Sequence, residues 1–196
     1  MDKFLNKYRI PTARLQNWDY GWNGYYFITV CTAIRDYYFG DIVNGKMESS
    51  KIGKIAYRFL LEIPQRYSYS KLDVFVIVPN HIHAIIIIDK NENECDRLDV
   101  MDCIDAINRV STKHKQFPPK HGGITGNANP MLHNNISRII NWFKGRVTFE
   151  SHKIDKNFAW QSRFYDHIIR SENSHKALQN YIVNNPNNWK NDEYYL

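Results

Sequence analysis

The run Val78-Pro79-Asn80-His81-Ile82-His83-Ala84-Ile85-Ile86-Ile87-Ile88 sets two histidines inside an otherwise apolar segment. Side chains alternate across a strand, so His81 and His83 share one face and Ile82 takes the other. β-Branched residues on both sides of the pair predict a central strand rather than an exposed edge. An imidazole buried without a partner costs about 1–3 kcal/mol. Two on one face therefore need partners: a metal ion shared by both, or a backbone carbonyl for each. The pattern leaves both readings open.

A second set lies far downstream. A helix is predicted to start between residues 171 and 174 and to stop at Asn185-Pro186. Tyr181 and Asn185 are four apart on it and so lie one above the other, beside an apolar stripe of Leu178 and Ile182. By itself this spacing reads as a tyrosine at the rim of a core and an asparagine capping a helix before proline.

The elements that would position these residues follow from periodicity. Residues 1–24 are basic and aromatic (Arg9, Arg14, Trp18, Tyr20, Trp22) and read as an N-terminal arm. Residues 25–32 read as a buried strand, and Asn44-Gly45 as the turn of a short hairpin. Ile52, Ile55, Ala56, Phe59, Leu60 and Ile63 recur at helical spacing behind Ser49 or Ser50 as N-cap. Strands are expected over 71–78 and 81–88, as hairpin partners or as one long bent strand. A second amphipathic helix follows Asn134 or Asn135, with Ile136, Ile139, Ile140, Phe143 and Val147 on one face. Residues 89–132, rich in Asn, Asp, Lys, Pro and Gly, read as a long flexible insertion, with a short helix near 100–110. His114, His121 and His133 fall in or beside it, at no metal-binding spacing. The order of elements predicts an α+β domain over 25–196, with helices packed on one face of an antiparallel sheet.

At 196 residues the chain can bury a core without staples. A net charge of +6 with 14% aromatic residues fits nucleic-acid binding, because cations meet phosphates and rings stack on bases. Three unpatterned cysteines, Cys31, Cys95 and Cys103, fit a reducing, cytoplasmic compartment. No apolar run is long enough for a membrane span.

Four segments, in order, carry a family resemblance: Ala13-Arg14-Leu15 through Trp18-Asp19-Tyr20 to the strand at 24–32; Val78-Pro79-Asn80-His81-Ile82-His83; Phe164-Tyr165-Asp166-His167-Ile168-Ile169-Arg170; and Tyr181-Ile182-Val183-Asn184-Asn185-Pro186. His81-Ile82-His83 resembles the His-hydrophobic-His motif of the endonuclease superfamily of rolling-circle initiators, relaxases and single-tyrosine transposases. Within it the chain closely resembles the REP-associated tyrosine transposases and their insertion-sequence relatives. The insertion at 89–132 departs from that pattern, in a region that varies in such proteins.

The resemblance implies a ferredoxin-like sheet, with His81 and His83 as metal ligands on a central strand. It implies Tyr181 as the nucleophile and Asn185 as the residue completing the metal site. Tyr165, in a matched motif, competes as nucleophile but precedes the helix and has no polar residue at helical spacing after it. The implied reaction is cleavage of single-stranded or hairpin DNA, giving a 5′-phosphotyrosine and a free 3′-hydroxyl without ATP. The implied cofactor is Mg²⁺ or Mn²⁺, while two imidazoles favour Zn²⁺ or Mn²⁺ on ligand softness. Arg9, Arg14, Lys144, Arg146, Arg163 and Arg170 are candidates to hold the strand, and a homodimer is compatible with all of this. Two other readings stand beside this one. The first is a non-catalytic nucleic-acid-binding module or repressor on the same fold. The second is a relaxase or replication initiator, which would need a further DNA-processing region.

Overall fold

The computed structural model describes residues 3–4, 7–8, 18–90 and 133–195. The first half contains β1 (Lys3–Phe4), β2 (Lys7–Tyr8), β3 (Gly24–Cys31), β4 (Gly40–Val43), β5 (Lys46–Ser49) and α1 (Lys51–Arg66). It continues with β6 (Ser70–Val78) and β7 (His81–Ile88), then α2 (Ile136–Ser151), β8 (Tyr165–Ile169) and α3 (Glu172–Asn184). Arg9, Arg14, Cys95, Cys103, His114, His121 and the short helix expected near 100–110 lie outside the described residues. Among the described residues, no helix is long and apolar enough to cross a membrane.

Four strands form one antiparallel sheet in the order β6-β7-β3-β8. The histidine strand β7 is therefore internal, hydrogen-bonded on both sides. Its alternative pairings resolve to a hairpin: Pro79-Asn80 is a two-residue turn, with Val78 opposite His81. β4 and β5 form a separate hairpin whose turn residues Asn44 and Gly45 have φ of 52° and 73°. Positive φ at both turn positions is what an Asn-Gly hairpin turn supplies.

Strand alternation divides the interior in two. Tyr26, Ile28 and Val30 of β3 and Ile82, Ala84 and Ile86 of β7 meet Ile52, Phe59, Leu60 and Ile63 of α1 and Ile139, Ile140, Phe143 and Val147 of α2. Both helices begin as their caps predict. Ser50 Oγ accepts from Gly53 N at 3.0 Å, and Asn135 Oδ1 from Arg138 N at 3.0 Å. Trp18 and Tyr20 of the arm also pack against this core, where Trp18 Nε1 donates to Tyr26 Oη at 3.2 Å.

The opposite face holds a smaller cluster of Phe27, Ile85 and Ile169 beneath Ile182 of α3. Two helices thus cover one face of the α+β sheet, and the third lies across the other. That second face carries the histidines.

Candidate active site

His81 and His83 stand opposite Cys31 and Thr29 of β3, and opposite Val78 and Val76 of β6. Both are buried, at 0% and 1% exposure. Their Nε2 atoms lie 2.9 Å apart. The hydrogen bonds around them determine where the protons sit. Asn80 Nδ2 donates to the Tyr194 carbonyl at 2.8 Å, which turns Asn80 Oδ1 toward His81 Nδ1, also at 2.8 Å. Nδ1 of His81 must then carry the hydrogen, leaving a lone pair on Nε2. His83 Nδ1 faces Thr29 Oγ1 at 2.8 Å, a hydroxyl that serves either tautomer. Two facing lone pairs repel unless a proton or a cation lies between them.

α3 brings the downstream residues to this point. Tyr181 Oη is 3.1 Å from His83 Nε2, and the residue is 41% exposed. One turn later, Asn185 is buried, and its Nδ2 donates to Asp192 Oδ2 at 2.5 Å. That contact orients the amide and leaves Asn185 Oδ1 buried without a hydrogen-bond partner among the described residues. Beyond Pro186 a short 3-10 turn, Trp189–Asn191, packs Trp189 on the His81 ring at 5.7 Å. The turn delivers Asp192 to the same spot.

Asp192 was not among the residues singled out in the sequence. Its Oδ1 is 3.8 Å from His81 Nε2 and accepts from Tyr194 N at 2.7 Å. Its Oδ2 accepts from the Tyr181 hydroxyl at 3.1 Å. It follows a helix stop in a polar tail where no periodicity predicts burial. The one signal is the ring of aromatics around it, Trp189, Tyr194 and Tyr195, which marks a docked segment.

Electrostatics follow from burial. Desolvation holds the His81 imidazole far below its ordinary pKa, aided by the His83 ring and the positive charge of Arg35. Burial also lowers His83, although the Asp192 charge opposes it. Both rings are therefore neutral near pH 7, and the His81–Asp192 contact is not an ion pair. Burial raises Tyr181 above the ordinary phenol value, and the charge and hydrogen bond of Asp192 raise it further. Burial likewise pushes Tyr194 up to about 12.

An acid titration tests this picture. The folded pKa values of both histidines lie below the unfolded value of about 6.5, so only the unfolded chain takes up protons first as pH falls. This contribution to stability is full above about pH 6.5 and is lost on acidification. With chelator present, the melting temperature should fall between about pH 7 and pH 5, and fall less in a His81→Ala/His83→Ala double variant. Equal declines in the two proteins would remove these rings as the cause.

The residues fit a divalent cation. His81, His83 and Asp192 each offer one ligand atom, all within 4.8 Å of one another. Two nitrogens at right angles around an ion about 2.1 Å away stand about 3 Å apart, which the facing Nε2 atoms match. The unpartnered Asn185 Oδ1 is a neutral oxygen of the kind such a set uses. Asn80 and Thr29 are the outer partners that orient imidazole ligands.

The other candidates among the described residues make no hydrogen bond or ring contact with either imidazole, although Tyr165 shares the His83 face across Thr29. Tyr165, on edge strand β8, is 54% exposed and opposite Thr29. Its ring is 6.5 Å from Phe27, and among the described residues it has no hydrogen bond to either imidazole. Lys144 and Arg146 belong to α2, beyond the sheet from the histidines. Lys144 Nζ donates to the Gln161 carbonyl, and Arg146 lies over the Phe59 ring at 5.1 Å. Arg170 lies over Trp18 at 5.5 Å, and Arg163 is exposed ahead of β8.

No protein-family model matches the chain. An uncharacterized protein of Haemophilus influenzae is 32% identical over 187 residues, which span 94% of this chain and 92% of that protein. Among solved structures, a REP-associated tyrosine transposase bound to a REP hairpin superposes with a TM-score of 0.54. Identity is 14%, and the match covers 91% of this chain and 74% of the other. A Deinococcus radiodurans structure with a provisional transposase designation aligns at 11% identity over 88% of this chain and 97% of its own, with a TM-score of 0.39. The resemblance carried by the four sequence segments is thus met at the level of fold. The chain belongs to one family with the Haemophilus influenzae protein, and its fold is that of the REP-associated tyrosine transposase.

Proposed function

We propose that this protein is a metal-dependent endonuclease and strand transferase that acts on single-stranded or hairpin DNA through Tyr181. The observation carrying this reading is the Tyr181 hydroxyl, 3.1 Å from Nε2 of His83 and 3.1 Å from Asp192 Oδ2, at the edge of a paired-imidazole site. The solved transposase with the same fold was captured on a REP hairpin, which supports DNA of that form as the substrate here.

His81, His83 and Asp192 would hold the ion, with Asn185 Oδ1 as a fourth ligand. Mg²⁺ and Mn²⁺ are the expected occupants. When bound, a divalent cation supplies Lewis-acid charge to a phosphate oxygen and offsets the carboxylate charge that keeps Tyr181 protonated. The rest falls to the chain. Asp192 Oδ2 accepts the Tyr181 O–H hydrogen bond and is the acceptor placed to take the proton. The phenol oxygen attacks phosphorus, the bond from phosphorus to the 3′ oxygen breaks, and that oxygen leaves with a proton as a 3′-hydroxyl. The new 5′-phosphotyrosine keeps the bond energy, so a 3′-hydroxyl can attack it in reverse and rejoin strands.

Incubating labelled hairpin DNA with the protein and Mn²⁺, then denaturing, should yield a covalent adduct. No adduct on varied hairpin substrates would favour the binding-module reading. Affinity for such DNA should fall at least about tenfold between 50 and 200 mM salt, because Lys and Arg release counterions from phosphate. A salt-insensitive affinity, or tighter binding to perfect duplex, would count against this substrate class.

A further inference from the structure

Ile182 is the one fully buried residue of α3, in the cluster with Phe27, Ile85 and Ile169. Leu178, Val74 and Val76 pack only partly around it. The helix carrying Tyr181 is therefore held by a small apolar patch. The rest of its hold is polar. His175 Nε2 donates to Asp73 Oδ2 at 2.6 Å, and Gln179 Nε2 donates to Asp73 Oδ2 at 2.9 Å and to Oδ1 at 3.2 Å. The His175 ring also packs on Tyr25, centroids 4.8 Å apart.

Helix spacing places His175, Leu178, Gln179 and Ile182 on one stripe, so the polar and apolar contacts share a face. Asp73 owes its aim to an irregularity in β6. Pairing with β7 shifts register between Leu72 and Phe75, so Asp73 and Val74 together stand opposite Ile85. Such a bulge re-aims side chains and recurs beside active sites. The His175 and Asp73 side chains are 22% and 21% exposed, so water screens the pair only in part.

We propose that Asp73, gripping His175 and Gln179, is a positioning clamp that sets α3 on the sheet so that the Tyr181 hydroxyl meets the His83 site. This rests on Tyr181 being the nucleophile. Tyr181 lies two residues beyond Gln179 and about 9 Å of helix rise beyond His175. Without the clamp, α3 can roll about Ile182, and a nucleophile displaced by about 1 Å loses about a hundredfold in rate.

The test uses the full chain, labelled hairpin DNA and Mn²⁺, with three readouts: single-turnover adduct rate at saturating DNA, DNA Kd, and amide hydrogen exchange. Asp73→Ala should slow adduct formation about tenfold or more, leave Kd within about twofold, and speed exchange in α3 but not α1. Asp73→Asn, which keeps one acceptor, should recover part of the rate. If Asp73→Ala does not fold, His175→Ala and Gln179→Ala each remove one arm of the clamp and should give the same signature. Ile55→Ala, on α1 beyond the sheet, is the control for general destabilisation. A wild-type rate in Asp73→Ala, or an equal slowing in Ile55→Ala at matched melting temperature, overturns the clamp and leaves Tyr181 as nucleophile. Unchanged α3 exchange in Asp73→Ala overturns it without reference to activity. No adduct from the wild type overturns instead the reading on which it rests.

Discussion

Tyr181→Phe should bind hairpin DNA and Mn²⁺ as the wild type does, yet form no covalent adduct. The phenyl body, already packed at 6.3 Å from Phe27 and 5.2 Å from His83, is retained. Only the hydroxyl goes, and with it the contact with His83 Nε2 and one hydrogen bond to Asp192, whose Oδ2 still receives Asn185 Nδ2 at 2.5 Å. The stability cost is about 1 kcal/mol, or about 2–4 °C in melting temperature. The loss of adduct should be about a thousandfold or more, because removing a nucleophile leaves only what binding and charge can do. Tyr165→Phe should keep the adduct, since Tyr165 stands on the edge strand and, among the described residues, has no hydrogen bond to either imidazole. The reverse outcome, an adduct in Tyr181→Phe and none in Tyr165→Phe, would hand the role to Tyr165 and end the argument from the helix face.

Where local rules act alone, the sequence was legible. The alternation of His81, Ile82 and His83 required two rings on one face, and the two lie Nε2 to Nε2. Ser50 and Asn135 mark helix starts because a side-chain acceptor there satisfies an amide that the first turn leaves free. Tyr181 and Asn185 share a face because the helix period demands it. Their roles belong to the proposal, but their meeting at one site is geometry.

What escaped depends on contacts between distant segments. Val78-Pro79-Asn80-His81 admits a bend or a turn, and only the pairing of Val78 with His81 selects the hairpin. Both faces of β7 carry apolar residues, Ile82, Ala84 and Ile86 on one and Ile85 and Ile87 beside the two histidines on the other, so local pattern alone does not say which helix covers which face. Asp192 sits in a tail without period, and its burial depends on the docking of Trp189 and Tyr194. Asp73 and His175 are 102 residues apart, joined by a bulge that composition does not announce.

Mn²⁺ or Mg²⁺ should raise the melting temperature of the wild type and leave that of His81→Ala/His83→Ala unchanged. A ligand that binds only the folded chain stabilises it by about 2.7 kcal/mol at a hundred times its Kd. For a chain of this size that is about 5–10 °C. The two neutral imidazoles with facing Nε2 atoms supply two of the three ligand atoms, and alanine at both positions removes them. The double substitution also hollows the buried face beside Phe27 and Trp189, so its baseline melting temperature should fall, and the readout is the increment on adding metal. Asp192→Asn gives a second measure if the double variant does not fold. It keeps the shape and the contact with Asn185 but removes the charge, so the increment should shrink at equal metal concentration. An unchanged increment in either variant would place the ion elsewhere. The reading of His81, His83 and Asp192 as one metal centre, and the chemistry argued from it, would then fail.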